Sequence, residues 1–192
     1  MNKITQPLFS IFFLFVLVME LIFAGCDVKS KSDPVDNTPD SIVAEAKKYI
    51  DWTSFDCSSF VQTVYANVGI TVPRTVAEQY THCKNGNVLY SKSSALKGDI
   101  LFMESDGNYP RHVEIYEDEQ SYIEWDKTDP VGQKMWDLYG PQYSYNYVKE
   151  KDNKYYVENH NIVIGWSSGF GKICEVLRNY VYKVTRETGR PR

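Results

Sequence analysis

The sequence predicts an α+β domain, with helices first and a mostly antiparallel sheet after them. Three observations carry this. SIVAEAKKYI (41–50) and CSSFVQTVYANVG (57–69) read as helices, and the second spaces Phe60, Val61, Val64, Tyr65 and Val68 as one amphipathic stripe. After Gly86 the character changes: GDILFM (98–103), HVEIYE (112–117) and SYIEW (121–125) are short, β-branched and aromatic, with turn residues between them. NIVIGW (161–166) and NYVYKV (179–184) supply the last strands. Helices followed by strands, with no internal repeat, is an α+β layout rather than an alternating one.

Taken in order, the chain opens on a segment outside this domain. Lys3 precedes the apolar run LFSIFFLFVLVM (8–19), and Ala24-Gly25 stand directly before Cys26. A charged start, an apolar stretch and small residues make the plan of a secretory signal. The last part resembles a bacterial lipoprotein signal, which implies cleavage before Cys26 and lipidation of that residue. The expected signal is therefore 1–26. The alternative is an uncleaved anchor, for which the run is short and interrupted by Glu20. Residues 27–40, DVKSKSDPVDNTPD, are polar and hold two prolines, and they read as a flexible tether. The domain is expected over 41–192, with Asp40 or Ser41 as the first helix cap and Gly69 ending the second helix. TVAEQYTHC (75–83) reads as a third short helix. The stretch 126–160 is turn-rich and carries six tyrosines, with Tyr143, Tyr145 and Tyr147 alternating as on one strand. It reads either as a wall for sugar rings or as the cover of a small core.

Composition excludes some classes. The net charge is −4 and no basic stripe occurs, which argues against nucleic acid as a partner. The four cysteines, Cys26, Cys57, Cys83 and Cys174, form no C-x-x-C pair, and His82, His112 and His160 have no zinc spacing. No metal and no cofactor are expected. A bridge between Cys83 and Cys174 is open, because sequence does not show whether their Cα atoms approach.

Cys57 stands where a loop meets a helix. Backbone N–H groups and the positive end of the helix dipole favour a thiolate there, and the same groups can hold the oxyanion formed on an attacked amide. His112, on the strand HVEIYE, is the best placed proton acceptor of the three histidines. If EDEQ is a tight turn, SYIEW pairs back on HVEIYE and Glu124 faces the neighbourhood of His112, where a carboxylate would orient the imidazole. The residues alone leave the alternative of a small buried cysteine and a structural histidine.

A resemblance bears on that choice. FDCSSFVQTVYANVGITVPRT (55–75), LKGDILFM (96–103) and RHVEIYEDEQSYIEW (111–125) resemble the NlpC-type family of cell-wall endopeptidases. The family shows an Asp-Cys-Ser-Gly helix opening, a downstream Pro-Arg, a Gly-Asp before a strand, and a His-Val-Gly-Ile-Tyr strand. The resemblance implies a papain-like α+β core and a thiol protease. It implies Cys57 as nucleophile, His112 as base and Glu124 as the third polar residue. It implies Asp56 and Ser58 as substrate-binding residues beside the nucleophile, with Tyr49 or Trp52 in place of a family tyrosine. The implied reaction is hydrolysis, through a thioester, of an amide in the peptidoglycan stem peptide, usually between γ-D-glutamate and a diamino acid. The expected partners are those stem peptides and, through the lipid on Cys26, a membrane facing the periplasm or cell wall. Ser59 and Glu114 depart from the family's small residues and are expected to add bulk beside the cleft. An amidase or acyltransferase on the same pair, or a non-catalytic lipoprotein that binds wall fragments, are the alternatives.

Overall fold

The computed structural model describes residues 36–105, 110–142, 147–177 and 185–191. The expected signal, Cys26, most of the tether, Tyr143, Tyr145 and the strand at 179–184 lie outside these residues. The described elements are, in chain order, α1 (Pro39–Lys47), α2 (Cys57–Asn67), α3 (Val76–Asn85), β1 (Leu89–Ser91), a 3-10 turn (Lys92–Ser94), β2 (Ile100–Ser105), β3 (Pro110–Asp126), α4 (Pro130–Tyr139), β4 (Lys149–Lys151), β5 (Lys154–Ser167), β6 (Lys172–Leu177) and β7 (Thr185–Gly189). The described strands form one sheet in the order β1-β7-β2-β3-β5-β4, with β6 also paired to β5, and each pairing is antiparallel. Helices segregated from an antiparallel sheet make an α+β, papain-like fold. Among the described residues no helix is long and apolar enough to cross a membrane.

Each helix begins on a capping residue. Thr38 caps α1 by accepting from the Ser41 N–H at 3.3 Å, with Pro39 at the first helical position. The helix thus starts two residues before the expected one. Asp56 caps α2 and Thr75 caps α3, both through reciprocal capping boxes. At the other end of α2, the Ile70 N–H reaches the Tyr65 carbonyl at 2.9 Å and the Gly69 N–H the Ala66 carbonyl at 3.0 Å. This Schellman turn needs a left-handed residue, and Gly69 supplies it at φ 77°.

The apolar faces of α1, α2 and α3 bury against one part of the sheet. Ile42, Ala46, Phe60, Val64 and Tyr65 meet Ile100, Phe102, Val113, Ile115, Ile164 and Ile173 there. A second core gathers Leu101, Met103, Tyr116, Val157 and Val163 with Val131 and Met135 of α4. Adjacent residues of β2 alternate between the two cores, as a strand buried on both faces must. Trp136 stacks on Tyr155 with ring centroids 4.7 Å apart, and Tyr139 and Tyr147 pack beside this second core. The described tyrosines of 126–160 therefore include the cover of a core, and α4 lies where only turns were expected.

The largest difference from expectation is β3. Residues 110–126 form one continuous strand, not a hairpin turning at EDEQ. Irregular pairing with β5 near Tyr116, Asp118 and Ser121 absorbs the local change in register. EDEQ lacks the Asn-Gly or Asp-Gly pair that most favours a two-residue hairpin loop.

Candidate active site

Three elements build the site: the N-terminus of α2, the start of β3 and the β5 residues beside it. Cys57 is the first residue of α2 and is partly exposed. Asp56 fixes this helix start. Its Oδ1 accepts from the Ser59 N–H at 2.7 Å, and the Ser59 hydroxyl accepts from the Asp56 N–H at 2.9 Å. Asp56 also accepts from the Ser58 hydroxyl and from both terminal nitrogens of Arg74. Arg74 further donates to the Ser58 hydroxyl at 3.0 Å. The buried Gln79 of α3 donates to the Ser58 and Pro73 carbonyls at 3.0 and 2.9 Å, tying the helix start to the Pro-Arg segment. With the Ser59 and Phe60 N–H groups taken by Asp56, helix geometry leaves those of Cys57 and Ser58 directed out of the helix end.

The structure brings His112 to Cys57, close enough for the cysteine to raise the imidazole's affinity for a proton. The other partner of the imidazole is Glu114, whose Oε1 lies 3.3 Å from Nε2. Burial alone would depress the His112 pKa. The nearby Cys57 and the bond and charge of Glu114 outweigh it and push the imidazole up to about 10. The Asp56 carboxyl is held well below the usual carboxylate range, chiefly by Arg74 and against a smaller effect of burial. The charge of Arg74 also reaches Cys57.

Two expected site residues lie elsewhere. Glu124 sits near the far end of β3, and at about 3.3 Å per residue the strand carries it some tens of ångströms from His112. Its side chain is 41% exposed, ion-paired to Lys154 and bonded to the Tyr122 hydroxyl. It cannot orient the imidazole, because the hairpin that would have folded it back does not form. Tyr49 packs with Phe55 and Phe60, and its hydroxyl bonds Glu45 and Asn67 at 3.2 and 2.7 Å. Asn67 ends α2, about 15 Å along the helix from Cys57 at 1.5 Å per residue, so that hydroxyl is outside the site. Trp52 is exposed and stacks on Phe55.

The departures from small residues prove to be accommodated. Ser59 completes the capping box of α2. Glu114 lies over Gly165 of β5, where an added Cβ would stand 2.5 Å from the Glu114 Cγ. Cys83 and Cys174 are both free and buried, and they belong to different cores. Burial pushes each thiol up to about 12, which leaves them inert beside Cys57. Glu114 is the contact that the sequence reading missed. Its signal was present in the i, i+2 spacing from His112, which puts both side chains on one face of the strand.

A model of the NlpC/P60 family matches residues 44–157, more than half of the chain. The chain belongs to the NlpC/P60 family. The matched residues include Cys57, His112 and Glu114. Among curated proteins, the "Probable endopeptidase p60" of Listeria seeligeri is 39% identical over 84 residues, which cover 39% of this chain and 15% of that protein. The "Bifunctional muramidase/DL-endopeptidase CwlT" of Bacillus subtilis (strain 168) is 41% identical over 66 residues, 33% of this chain and 19% of that one. The matched part thus spans less than a fifth of either relative. Among solved structures, an NlpC/P60 family protein from Bacillus cereus ATCC 10987 superposes with a TM-score of 0.52 at 19% identity, over 84% of this chain and 43% of that one. It shares the fold.

Proposed function

We propose that the protein is a cysteine peptidase of the bacterial cell wall, cutting an amide in the peptidoglycan stem peptide. The observation that carries this reading is the placement of the His112 imidazole beside Cys57 at the start of α2, inside the region matched by the NlpC/P60 family. In the proposed reaction the Cys57 sulfur attacks the amide carbonyl as a thiolate, its proton already held on His112. The N–H groups at the start of α2 stabilise the oxyanion. The C–N bond breaks, His112 protonates the leaving amine, and the acyl group remains on Cys57 as a thioester. Water then attacks the thioester with His112 taking its proton. The carboxylic product leaves and the thiol is restored. The residues supply acid, base and nucleophile themselves, and no step calls for a cofactor. Asp56 and Ser58, held by Arg74, form the polar wall proposed to receive the free end of the stem peptide.

The proposed bond joins γ-D-glutamate to a diamino acid, as the family resemblance implies. The test is digestion of purified peptidoglycan by the full-length protein, with mass analysis of the products. Fragments split between those residues are expected. Release of an intact stem peptide would mark an amidase, transfer to an added amine an acyltransferase, and binding with no product a wall-binding lipoprotein. Any of these would overturn the proposed bond. The proposal includes export and a lipid on Cys26, motivated by Ala24-Gly25-Cys26 behind an apolar run. Labelled fatty acid should enter the wild type and not Cys26→Ser, and a mature N-terminus elsewhere would contradict the anchor.

A further inference from the structure

The geometry points to Glu114 as the residue that positions His112 for the reaction, holding the imidazole through Nε2 so that Nδ1 is the nitrogen left for the Cys57 thiol. This rests on the Cys57–His112 reading and deepens it. His112 and Glu114 lie two apart on β3, on one face of the strand, and their side chains meet at 3.3 Å. A carboxylate in this place fixes the tautomer and stabilises the imidazolium that forms when the thiol gives up its proton.

Three features separate this carboxylate from an ordinary surface glutamate. It is only 6% exposed, so its charge acts through a poorly screened path. Its Oε2 is buried without a hydrogen-bond partner among the described residues. A half-satisfied buried carboxylate is costly, and a purely structural role would not call for one. Gly165 makes the space for it. A Cβ there would meet the Glu114 Cγ at 2.5 Å and its Cβ and Cδ at 3.1 Å. Glu114 and Gly165 are thus a matched pair on neighbouring strands. The other polar candidates are engaged elsewhere: Asn161 accepts from the Tyr116 hydroxyl at 2.5 Å, and His160 packs edge-on to Tyr147.

The charged and titratable groups around His112 are few. Cys57 faces it from α2, with the charge of Arg74 also reaching that residue, and Glu114 faces it from β3. Cys174 of β6 lies within reach of the Glu114 charge, but burial keeps it a neutral thiol. Among the described residues, Glu114 is therefore the acidic side chain left bonded to the imidazole once Cys57 is removed.

That isolates the test. The His112 ring is titrated by NMR in full-length Cys57→Ala and in full-length Cys57→Ala/Glu114→Gln, with ring-labelled histidine and the signal assigned from His112→Asn. Gln keeps the shape and loses the charge. The His112 midpoint should fall by about one pH unit or more in the double variant, as expected on losing a carboxylate within hydrogen-bonding reach. In the otherwise wild-type protein, Glu114→Gln should lower wall-fragment release on the order of tenfold or more. An unchanged midpoint overturns the proposal. Should Glu114→Gln fail to fold, Gly165→Ala displaces the carboxylate without removing it, and the same fall is expected. A falling midpoint in a protein whose wild type releases no wall fragment upholds Glu114 and sinks the substrate reading alone.

Discussion

The carboxylate of Asp56 accepts from the Ser59 N–H, the Ser58 hydroxyl and Arg74, all within a turn of Cys57. This one residue starts the helix, fixes the direction of its first N–H groups and anchors the Pro-Arg segment beside the thiol. Its acidity is the measurable trace of that work. A carboxylate whose pKa is depressed on folding contributes stability above its unfolded value, and that contribution is lost as pH falls towards the folded value. Arg74→Met should therefore lower the melting temperature at neutral pH. The gap to wild type should narrow as pH drops below about 4, the ordinary aspartate range. The pair is half exposed, so the effect should be modest and should shrink with salt. A gap that stays constant from neutral pH to pH 3 would show that Arg74 acts through packing instead. At this scale Cys57 and His112 were legible in the sequence as a helix-start cysteine and a strand histidine. Glu124 was expected beside the imidazole and Glu114 only as bulk near the cleft; the strand puts Glu114 at His112 instead, an outcome that depended on a turn rather than on either residue.

At the scale of elements, helices were more legible than strand lengths. The apolar stripe of α2 and its glycine end sit where the 3.6-residue period and Gly69 put them. The α4 helix was missed although Asp129-Pro130 is a strong start signal: Asp129 accepts from the Val131 N–H at 2.7 Å, and proline opens the helix. The density of tyrosines there masked the cap. Strand β3 was cut in two because a charged run was read as a turn. What joins helix to sheet was also hidden from sequence. Lys47 of α1 bridges Glu117 of β3 at 2.6 Å and Glu175 of β6 at 3.0 Å. Burial, and then the neighbouring Glu117, push the Glu175 carboxyl up to about 7, with Lys47 opposing. A carboxyl raised on folding holds its proton longer in the native state, so its effect on stability worsens as pH climbs from the unfolded value near 4.5 to about 7. Glu175→Gln should remove that decline. Denaturant unfolding of the variant should give a flatter stability profile across this window, with its largest gain over wild type at pH 7 and above. A variant that parallels the wild type throughout would mean that Lys47 fully compensates the pair.

Over the whole molecule, one sheet separates two cores, and the site lies where α2 meets the start of β3. The core between helices and sheet carries the family's motifs, and its order along the chain was readable as helices then strands. The second core was not, because its members come from β2, β3, α4, β5 and β6, and their alignment depends on register. The thiol is partly exposed at a helix end, while its partners are backed by packed strands. In the proposed reaction this thiol is the nucleophile. The most direct measurement compares full-length wild type with Cys57→Ala on the same purified peptidoglycan, reading released fragments by mass and checking both proteins for equal thermal stability. Replacing the partly exposed –CH2SH side chain by a methyl group removes one sulfur atom, so the melting temperature should be retained while fragment release falls to background. A folded Cys57→Ala protein that still releases the same fragments would contradict the account.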